Sequence, residues 1–441
     1  MRFDINQTLL RHIGTGGGAA YVLREQVTGN DNEFIDHIGN LFSARSDIRR
    51  IFKAQAVARP ILMTHDFNDI MVLREKVAEQ ELRRLITYTK QRDHTAHTVY
   101  LYLLGIWFFD HASAVKNAII KRVGGTEKEA CEWFLFQWMF ASLLHDIGYA
   151  FFDLGIETKA DRTQIDKLYQ WSWLDELFGP EKTPARKLQD FSALRAVYNT
   201  WHRLYSDKLQ PRLADATKPK EVLDTLAKVP WLTDLGWTQT NIFDVLKLNG
   251  QSLHSYAMEV AADGYRGKSG EGCVDHAVAS GLLLFQYVSY WYWIVEHLRK
   301  SNDTKSVEVV TNNFQYELKD LEGRVVDACR AVAFHNVLPN VSGSDDILGK
   351  IKLDTEPILY LAMLCDELQR WDRFPVGDEY LRVNSTEDNN SIDGEDIELI
   401  CSGTDTTTAI FRLTSSGVRE KIRQALNDKR LPDWENIVSI E

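Results

Sequence analysis

The feature that most constrains the fold is a long apolar run in the second half of the chain. From residue 277 to residue 295 the sequence reads AVASGLLLFQYVSYWYWIV and contains no charged residue. This approaches the roughly 20 residues that a helix needs to cross a membrane. However, Gln286 and Ser289 interrupt the run, and Asp275 and His276 precede it directly. We therefore expect a central helix that is buried on all sides, and no membrane partner.

Most of the remaining sequence also has the periodicity of helices, with apolar residues at three- and four-residue spacing. The helical segments are 71–90, 94–121, 129–144, 184–207, 276–300, 318–334 and 355–374. Alternation typical of strands is scarce before the end of the chain, where IELICSG and TTTAIFRLTSS are followed by a short helix, GVREKIRQAL. The sequence thus predicts a mostly α fold with a small C-terminal α+β appendage.

These patterns also predict how the chain is organised. Residues 1–85 form an N-terminal helical extension, residues 86–380 a helical core, and residues 381–441 the appendage. A charged helical insertion, 155–250, interrupts the core, and the polar stretch NSTEDNNSIDG is expected to be a linker or an exposed loop. Near the N-terminus, GTGGGAAYV lacks the Lys-Ser/Thr pair of a phosphate-binding loop and predicts a flexible turn.

Several polar residues stand where the helical pattern predicts burial. His145 and Asp146 directly follow the apolar run EWFLFQWMFASLL. His97 lies on the apolar stripe of its helix, and Asp366 shares a face with apolar residues of another. A carboxylate on an apolar face is costly unless it is paired or bound to a metal. These residues are therefore the first candidates for metal ligands.

Two further histidines extend the set. His276 begins the uncharged run, and His335 ends another apolar-periodic helix. Each residue taken alone has an ordinary explanation, as a hydrogen-bonded core histidine or, for Asp366, as a partner of Arg370. Asp275 is explained equally well as a helix N-cap. The conjunction is more informative, because five helices each place His or Asp where only a shared polar centre makes burial tolerable.

Between about residues 90 and 375 the chain resembles the HD-domain superfamily of metal-dependent phosphohydrolases. LLHDIG is similar to the signature of that family, and HTVYLYLLG to its first-helix segment. DHAVASGLLL resembles the fourth-ligand segment of HD-GYP phosphodiesterases and CRISPR-associated HD nucleases. AFHNV and LAMLCDELQRWDR look like the later histidine and the closing aspartate. The resemblance implies that the core is an HD-domain helical bundle.

The resemblance also implies a centre of two divalent transition metal ions, chosen among Mn, Fe, Ni, Co and Zn. It assigns the first ion to His97, His145, Asp146 and Asp366. It assigns the second ion to Asp146, as a bridge, with His276 and His335. A hydroxide between the two ions would attack a phosphate ester, so that no Ser or Cys nucleophile is required.

The chain departs from the family where many relatives carry a phosphate-binding Lys, because this position is Tyr149. The GYP motif is also missing, which disfavours cyclic di-GMP as the substrate. Arg370 and Arg373 follow Asp366 at i+4 and i+7 and are candidates for phosphate neutralisation, unless they are solvated or paired with carboxylates. His94 is a candidate general acid or hydrogen-bond donor behind the ligands.

The composition limits which substrates and which cellular compartments are expected. A formal net charge of −12 disfavours a surface that follows a nucleic-acid backbone. A small phosphorylated or nucleotide substrate is therefore favoured over single-stranded nucleic acid. Five cysteines without CxxC spacing indicate a reducing, cytoplasmic location and no cysteine-based zinc site. The oligomeric state stays open.

Two other functions share parts of this pattern. Di-iron oxygenases of the same superfamily, of the inositol oxygenase type, use the same series of ligands to activate O₂. A degenerate HD domain could instead act as a binding or regulatory module, although the complete ligand set favours an enzyme.

Overall fold

A computed structural model describes most of the chain. The described residues are 4–27, 31–64, 70–87, 91–92, 94–151, 218–263, 273–302, 317–339, 347–349, 351–369, 375–376, 397–401, 408–414 and 416–441, with isolated positions between them. Most of the helix expected at 184–207 and the whole of NSTEDNNSIDG lie outside these residues. The chain forms two compact units, Met1–Ile147 with Arg330–Glu441, and Gly148–Cys329. The domain boundaries expected from the sequence stay a prediction.

The structure confirms a mostly helical fold. Before the chain enters the second unit, the first unit contains the helices α1 (Ile5–Thr15), α2 (Gly18–Gln26), α3 (Asp31–Phe42), α4 (Asp47–Met63), α5 (Ile70–Thr87), α6 (Ala96–His111), α7 (Ser113–Val123) and α8 (Glu127–Leu143). A 3₁₀ turn, Ile147–Phe151, follows them.

The second unit is also helical. Its elements are α9 (Pro219–Leu226), a 3₁₀ turn (Pro230–Leu235), α10 (Ile242–Val245), α11 (His254–Asp263), α12 (His276–Lys300), α13 (Leu318–Asp320) and a π-helical turn (Leu321–Val325). The helix α14 (Val326–Phe334) brings the chain back to the first unit, where α15 (Pro357–Leu368) and α16 (Ser416–Asp428) follow.

The small C-terminal sheet confirms the α+β appendage. Strands β3 (Ile397–Cys401) and β4 (Ala409–Leu413) pair antiparallel, with Leu399 opposite Phe411. A strand that the sequence did not predict, β5 (Val438–Ile440), adds to β4 in parallel after α16 and a 3₁₀ turn, Trp434–Asn436. The inward side chains alternate along β3 and β4, as expected for a sheet with one buried face.

The core of the first unit is built around α6 and α8. Every residue of α6 from Ala96 to Phe109 is buried, because α1, α2, α4, α7, α8 and α15 surround it. The helical pattern over 94–121 is divided at Ala112, whose backbone is extended, and α7 turns back to pack on α6, α8 and α15. A polar side chain on a helix that is buried on all sides is costly unless it has a hydrogen-bond or ionic partner.

Local sequence fixes where α8 begins and ends. At its start Thr126 and Glu129 form a reciprocal capping box, in which the Thr126 amide donates to Glu129 at 2.7 Å and the Glu129 amide donates to Thr126 at 3.3 Å. At its end the chain turns after Leu144, and Ile147 N donates to Leu144 O at 3.4 Å. His145 and Asp146 therefore lie in a turn at the C-terminal end of a buried helix.

A two-stranded ladder connects the segments on either side of the site. Strand β1 (Gln91–Arg92) pairs antiparallel with β2 (Pro375–Val376). The first precedes α6 directly, and the second follows α15. The ladder thereby holds the start of one ligand-bearing helix against the chain that leaves another.

The second unit is organised around α12, whose residues confirm the buried helix expected from the uncharged run. By length and composition this helix could cross a membrane, but 94% of its most apolar window is buried inside the protein. Two of its polar side chains make hydrogen bonds: Gln286 Nε2 donates to Lys228 O at 3.1 Å, and Trp231 Nε1 donates to Ser289 Oγ at 3.1 Å. Hydrogen-bonded polar groups of this kind are typical of a protein core.

Candidate metal centre

Five of the predicted ligands come together in the first unit. His97 on α6, His145 and Asp146 after α8, His335 after α14 and Asp366 on α15 are all buried, each 7% exposed or less. Their donor atoms form two groups that could hold a metal ion: His97, His145 and Asp366, and His145, Asp146 and His335. Within each group the donor atoms all lie within 4.8 Å of one another.

The distances converge on a small volume. His97 Nε2 lies 3.3 Å from His145 Nε2 and 3.2 Å from Asp366 Oδ1. Asp146 Oδ1 lies 3.2 Å from His145 Nε2 and 3.9 Å from His335 Nε2, and Asp146 Oδ2 lies 3.9 Å from His97 Nε2. The two groups share His145, whereas the sequence predicted that Asp146 would be shared. The number of ions and their assignment stay a prediction.

Hydrogen bonds on the far side of each imidazole assign its tautomer. His145 Nδ1 lies 2.5 Å from Ser142 O, His335 Nδ1 lies 2.7 Å from Val332 O, and His97 Nδ1 contacts Gln369 Oε1. Because carbonyl and amide oxygens only accept hydrogen bonds, each Nδ1 carries the proton and donates. The three Nε2 atoms therefore present lone pairs to the common volume, which is the form in which imidazole binds a metal.

This arrangement needs a positive charge. The Nε2 lone pairs of His97 and His145 face each other and two carboxylates, and all of these groups have little exposure to water. Hydrogen-bond acceptors in such close contact repel one another unless a cation or protons lie between them. Ligand atoms around an ion with bonds of about 2.0–2.2 Å lie roughly 2.8–3.6 Å apart. The shorter distances in the cluster match this spacing, so the residues could hold a metal ion.

Electrostatics keep His335 in the form that binds metal. Burial lowers its pKa from 6.5 to about 3, and the neighbouring His145 lowers it further, against the opposing effect of Asp366 and Asp146. His335 is therefore neutral at physiological pH. In contrast, burial raises the pKa of the Cys365 thiol, next to Asp366, well above its usual range. A protonated thiol is a poor ligand, so the site depends on nitrogen and oxygen.

The C-terminal appendage reaches the ends of two ligand-bearing helices through a buried lysine. Lys429, directly after α16, is 6% exposed, and its Nζ donates to His335 O at 3.3 Å and to Asn336 Oδ1 at 3.5 Å. Its ammonium also lies 4.0 Å from Glu367, the residue after Asp366. Lys429 thereby holds the chain segments of two ligands in place.

The start of α6 is held by α5. Glu81, 3% exposed, accepts hydrogen bonds from the backbone amide of His94 and from Thr95 Oγ1. Arg74, on the same face of α5, donates to Thr98 Oγ1 at 2.8 Å and to the carbonyl oxygen of Leu143. These buried charged side chains join the N-terminal end of α6 to the C-terminal end of α8, and so set the approach of His97 to His145.

His94 is placed behind the ligands. Its Nδ1 lies 3.2 Å from Asp146 Oδ2, and because a carboxylate accepts, the imidazole donates. This contact orients Asp146, and the role of His94 as a general acid or hydrogen-bond donor during catalysis stays a prediction.

Three predicted site residues remain, His276, Arg370 and Arg373. His276 belongs to the second unit, where its ring stacks on Tyr149 with 4.0 Å between centroids. In the same unit Gly148 donates to Ser280 Oγ at 2.7 Å and lies so close to His276 O that a Cβ would overlap it, which explains the glycine of LLHDIG. Arg370 and Arg373 lie outside the described residues.

Sequence reasoning missed the residues that support the ligands. Gln369, directly after α15, follows Asp366 by three residues and is fully buried, a spacing that could have indicated its contact with His97. Arg74 and Glu81 are seven residues apart on the buried face of α5, and a charged pair at that spacing was also a readable signal. Lys429 gave no such signal, because its partners are distant in sequence.

No protein-family model, curated protein or solved structure matches the chain.

Proposed function

We propose that the protein is a metal-dependent phosphohydrolase of the HD type, which cleaves a phosphate ester of a nucleotide or a nucleotide-derived molecule. The observation that carries the proposal is the grouping of three imidazole Nε2 atoms with two carboxylates. Their Nδ1 atoms already donate to oxygen acceptors, so the Nε2 atoms are left for a ligand. The order of these residues along the chain, and LLHDIG, add the resemblance to the HD family.

The donor set favours a borderline divalent ion. Neutral imidazoles with carboxylates suit Mn, Fe, Ni, Co or Zn, whereas Mg and Ca prefer oxygen alone. His97, His145 and Asp366 would hold one ion, and Asp146 and His335 would contribute to a second, to which the family resemblance adds His276. Bound ions of this kind polarise a phosphoryl group and make water a stronger nucleophile.

The protein's own side chains supply orientation. His94 holds Asp146 through its Nδ1 proton, and Gln369 holds His97. Among the described residues Gln369 Nε2 makes no hydrogen bond, and a buried amide of this kind supports donation to a substrate oxygen. The predicted contribution of Arg370 and Arg373 to phosphate neutralisation remains part of the proposal.

A small substrate in a reducing compartment agrees with the composition. The net charge of −12 opposes binding to a long polyanion. Cys131, Cys273, Cys329, Cys365 and Cys401 are all free thiols, which supports a cytoplasmic location.

Metal analysis followed by a substrate panel tests the proposal. Protein purified without chelator should contain transition metal, and hydrolysis of nucleotides or phosphodiesters should be lost with chelator and restored by Mn or another divalent ion, without oxygen. Turnover that requires iron and consumes O₂ would favour the oxygenase alternative. Protein that binds no transition metal would favour the binding-module alternative.

One substitution tests whether a second ion is present. His335→Ala removes a donor from only one of the two groups, so the metal content should fall from about two ions per chain towards one, measured by elemental analysis. An unchanged metal content would make His335 a core histidine instead of a ligand.

A further inference from the structure

The most exposed apolar side chains of the described residues are concentrated on one helix. Ile48, Phe52 and Met63 of α4 are 53%, 61% and 48% exposed. The two other large apolar side chains in this class, Tyr21 and Leu204, lie outside α3 and α4. A contiguous apolar surface on a folded protein usually marks an interaction site.

The exposed residues of α4 form a continuous stripe. At 3.6 residues per turn, positions 48, 52, 59 and 63 fall on the same side of the helix. The opposite side is buried in the first unit through residues that include Ala54, Val57 and Ile61. The exposed side is also apolar except at Gln55 and Arg59, which contact Arg74 and Glu75 of α5.

A groove runs beside this stripe. It encloses about 330 Å³ and is lined by Val27, Glu33, Phe34, His37, Ala56, Arg59, Pro60 and Met63. Helices α3 and α4 are joined by only a few residues and pack closely, which makes them an antiparallel hairpin. The stripe and the groove together form one surface, which we call the hairpin surface.

The charges of the hairpin surface are separated along its length. One end carries the carboxylates of Glu33 and Asp36, where the cation of Arg59 is already paired with Glu75 at 2.8 Å. The other end carries the cations Arg45, Arg49 and Lys53, which form no ion pair with the described residues. A surface with an acidic end and a basic end is complementary to itself when one copy is rotated by 180°.

We propose that the hairpin surface is an interface between two copies of this chain, related by a two-fold axis. In this arrangement the acidic end of each copy faces the basic end of the other, and Ile48, Phe52 and Met63 are buried between them. An anionic membrane fits less well, because Glu33 and Asp36 would be repelled by it. The apolar area is modest, so the dimer should dissociate on dilution.

The mass in solution tests the proposal. Analytical ultracentrifugation over a range of protein concentrations should give a mass near twice the 50.7 kDa of one chain, falling towards one chain on dilution. Phe52→Ser should weaken association at least tenfold, because one aromatic contact is lost on each copy. Tyr21→Ser, which removes an exposed ring from α2, is the matched control and should leave the dissociation constant unchanged. Circular dichroism checks that both variants are folded.

A charge exchange tests the orientation. Lys53→Glu and Glu33→Lys should each weaken association, and the double variant should restore it, because each introduced lysine then faces an introduced glutamate of the other copy. Added salt should weaken the wild-type dimer.

Three results would overturn the proposal: a wild-type protein that is monomeric at all concentrations, a dimer that Phe52→Ser does not weaken, or a double charge variant that stays as weak as either single variant. Binding of the wild-type monomer to vesicles containing phosphatidylserine, lost in Phe52→Ser, would assign the hairpin surface to a membrane instead.

Discussion

Two clusters of histidine and aspartate lie in the first unit, and they differ in which of their atoms have partners. In one, Asp110 accepts hydrogen bonds from the backbone amides of Ala19 and Ala20 at 2.7 and 3.1 Å and from His12 Nε2 at 3.0 Å. His12 Nδ1 in turn accepts from His111 Nε2 at 3.2 Å. In this cluster donors and acceptors alternate.

The cluster around Asp146 has the opposite character. The donors of its three ligand imidazoles point to oxygen acceptors outside the cluster, and acceptors are left to face acceptors inside it. The residue types are alike in the two clusters, and the side chains of His12 and Asp110 are as buried as those around Asp146, so these properties do not distinguish a binding site from a structural network. The distinction is made by the atoms that the chain leaves unsatisfied.

The largest difference should appear in metal binding. Asp146→Asn removes a negative charge from the acceptor cluster and should abolish most metal binding, and with it activity by about a hundredfold or more, since each 1.4 kcal/mol of barrier is a factor of about ten. Asp110→Asn should retain the wild-type metal content. Elemental analysis of the two variants, purified in parallel, makes the measurement. Equal metal loss in both would remove the proposed contrast.

A smaller effect on metal affinity is expected from changing Lys429, which supports the residues around Asp146. Lys429→Met removes the ammonium that holds His335 O and Asn336, and should weaken metal binding by about ten- to a hundredfold, as is typical for residues behind a ligand. Calorimetric titration with Mn or Zn measures it. Lys429→Arg should recover part of the affinity, and Lys421→Met, exposed on the same helix, should leave it unchanged. If Lys429→Met binds metal as tightly as the wild type, the appendage does not contribute to metal binding.

The free energy of unfolding should show the opposite order, with the larger loss at Asp110 and the smaller loss at Asp146. Asp110→Ala leaves two amides and His12 without their acceptor and should lower the free energy of unfolding by about 1–3 kcal/mol. In metal-free protein, Asp146→Asn should cost less, because it reduces repulsion among acceptors. Chemical denaturation of both variants in the presence of a chelator compares them. The reverse order of stabilities would contradict the distinction between the two clusters.

The smallest expected effect is on the pH dependence of stability, and it involves His111. Burial and the neighbouring His12 lower the pKa of His111 from 6.5 to about 4. Between these values the unfolded chain binds the proton more readily, so this residue makes the folded state less stable as the pH falls from 6.5 to 4. His111→Gln should therefore flatten the dependence of Tm on pH in that window, measured by differential scanning fluorimetry. The same slope in wild type and variant would refute it.

The parts of the structure that depend on local patterns were predictable from sequence. The helix α12 and the turn after α8 follow from the spacing of apolar residues, and so do the buried positions of His97 and Asp366. Strand β5 was not predictable, because it has three residues and pairs in parallel with a strand distant in sequence.

The glycine-rich stretch illustrates the same limit. A flexible turn was expected over this stretch, but only Gly16 and Gly17 lie between α1 and α2, and its other residues are helical. Gly18 is required for two reasons: its φ is +59°, and a Cβ would overlap Asp110. The second reason depends on a residue of α6, and no local pattern contains it. Gln369 and Lys429 escaped prediction in the same way, because hydrogen-bond partners are chosen by the tertiary fold.

The contact between α6 and α8 also determines how the site can change. Gly105 lies directly against the indole of Trp138, so that a methyl group added to the glycine would overlap the ring, and Trp138 Nε1 donates to Tyr102 O at 2.9 Å. Gly105 is two turns beyond His97, and Trp138 is two turns before His145. The thickness of one indole ring therefore acts as a spacer for two candidate metal ligands, each about 10 Å away along the chain. A substitution that enlarges residue 105 therefore requires a smaller side chain at residue 138, and changing the two together would alter the separation of α6 and α8.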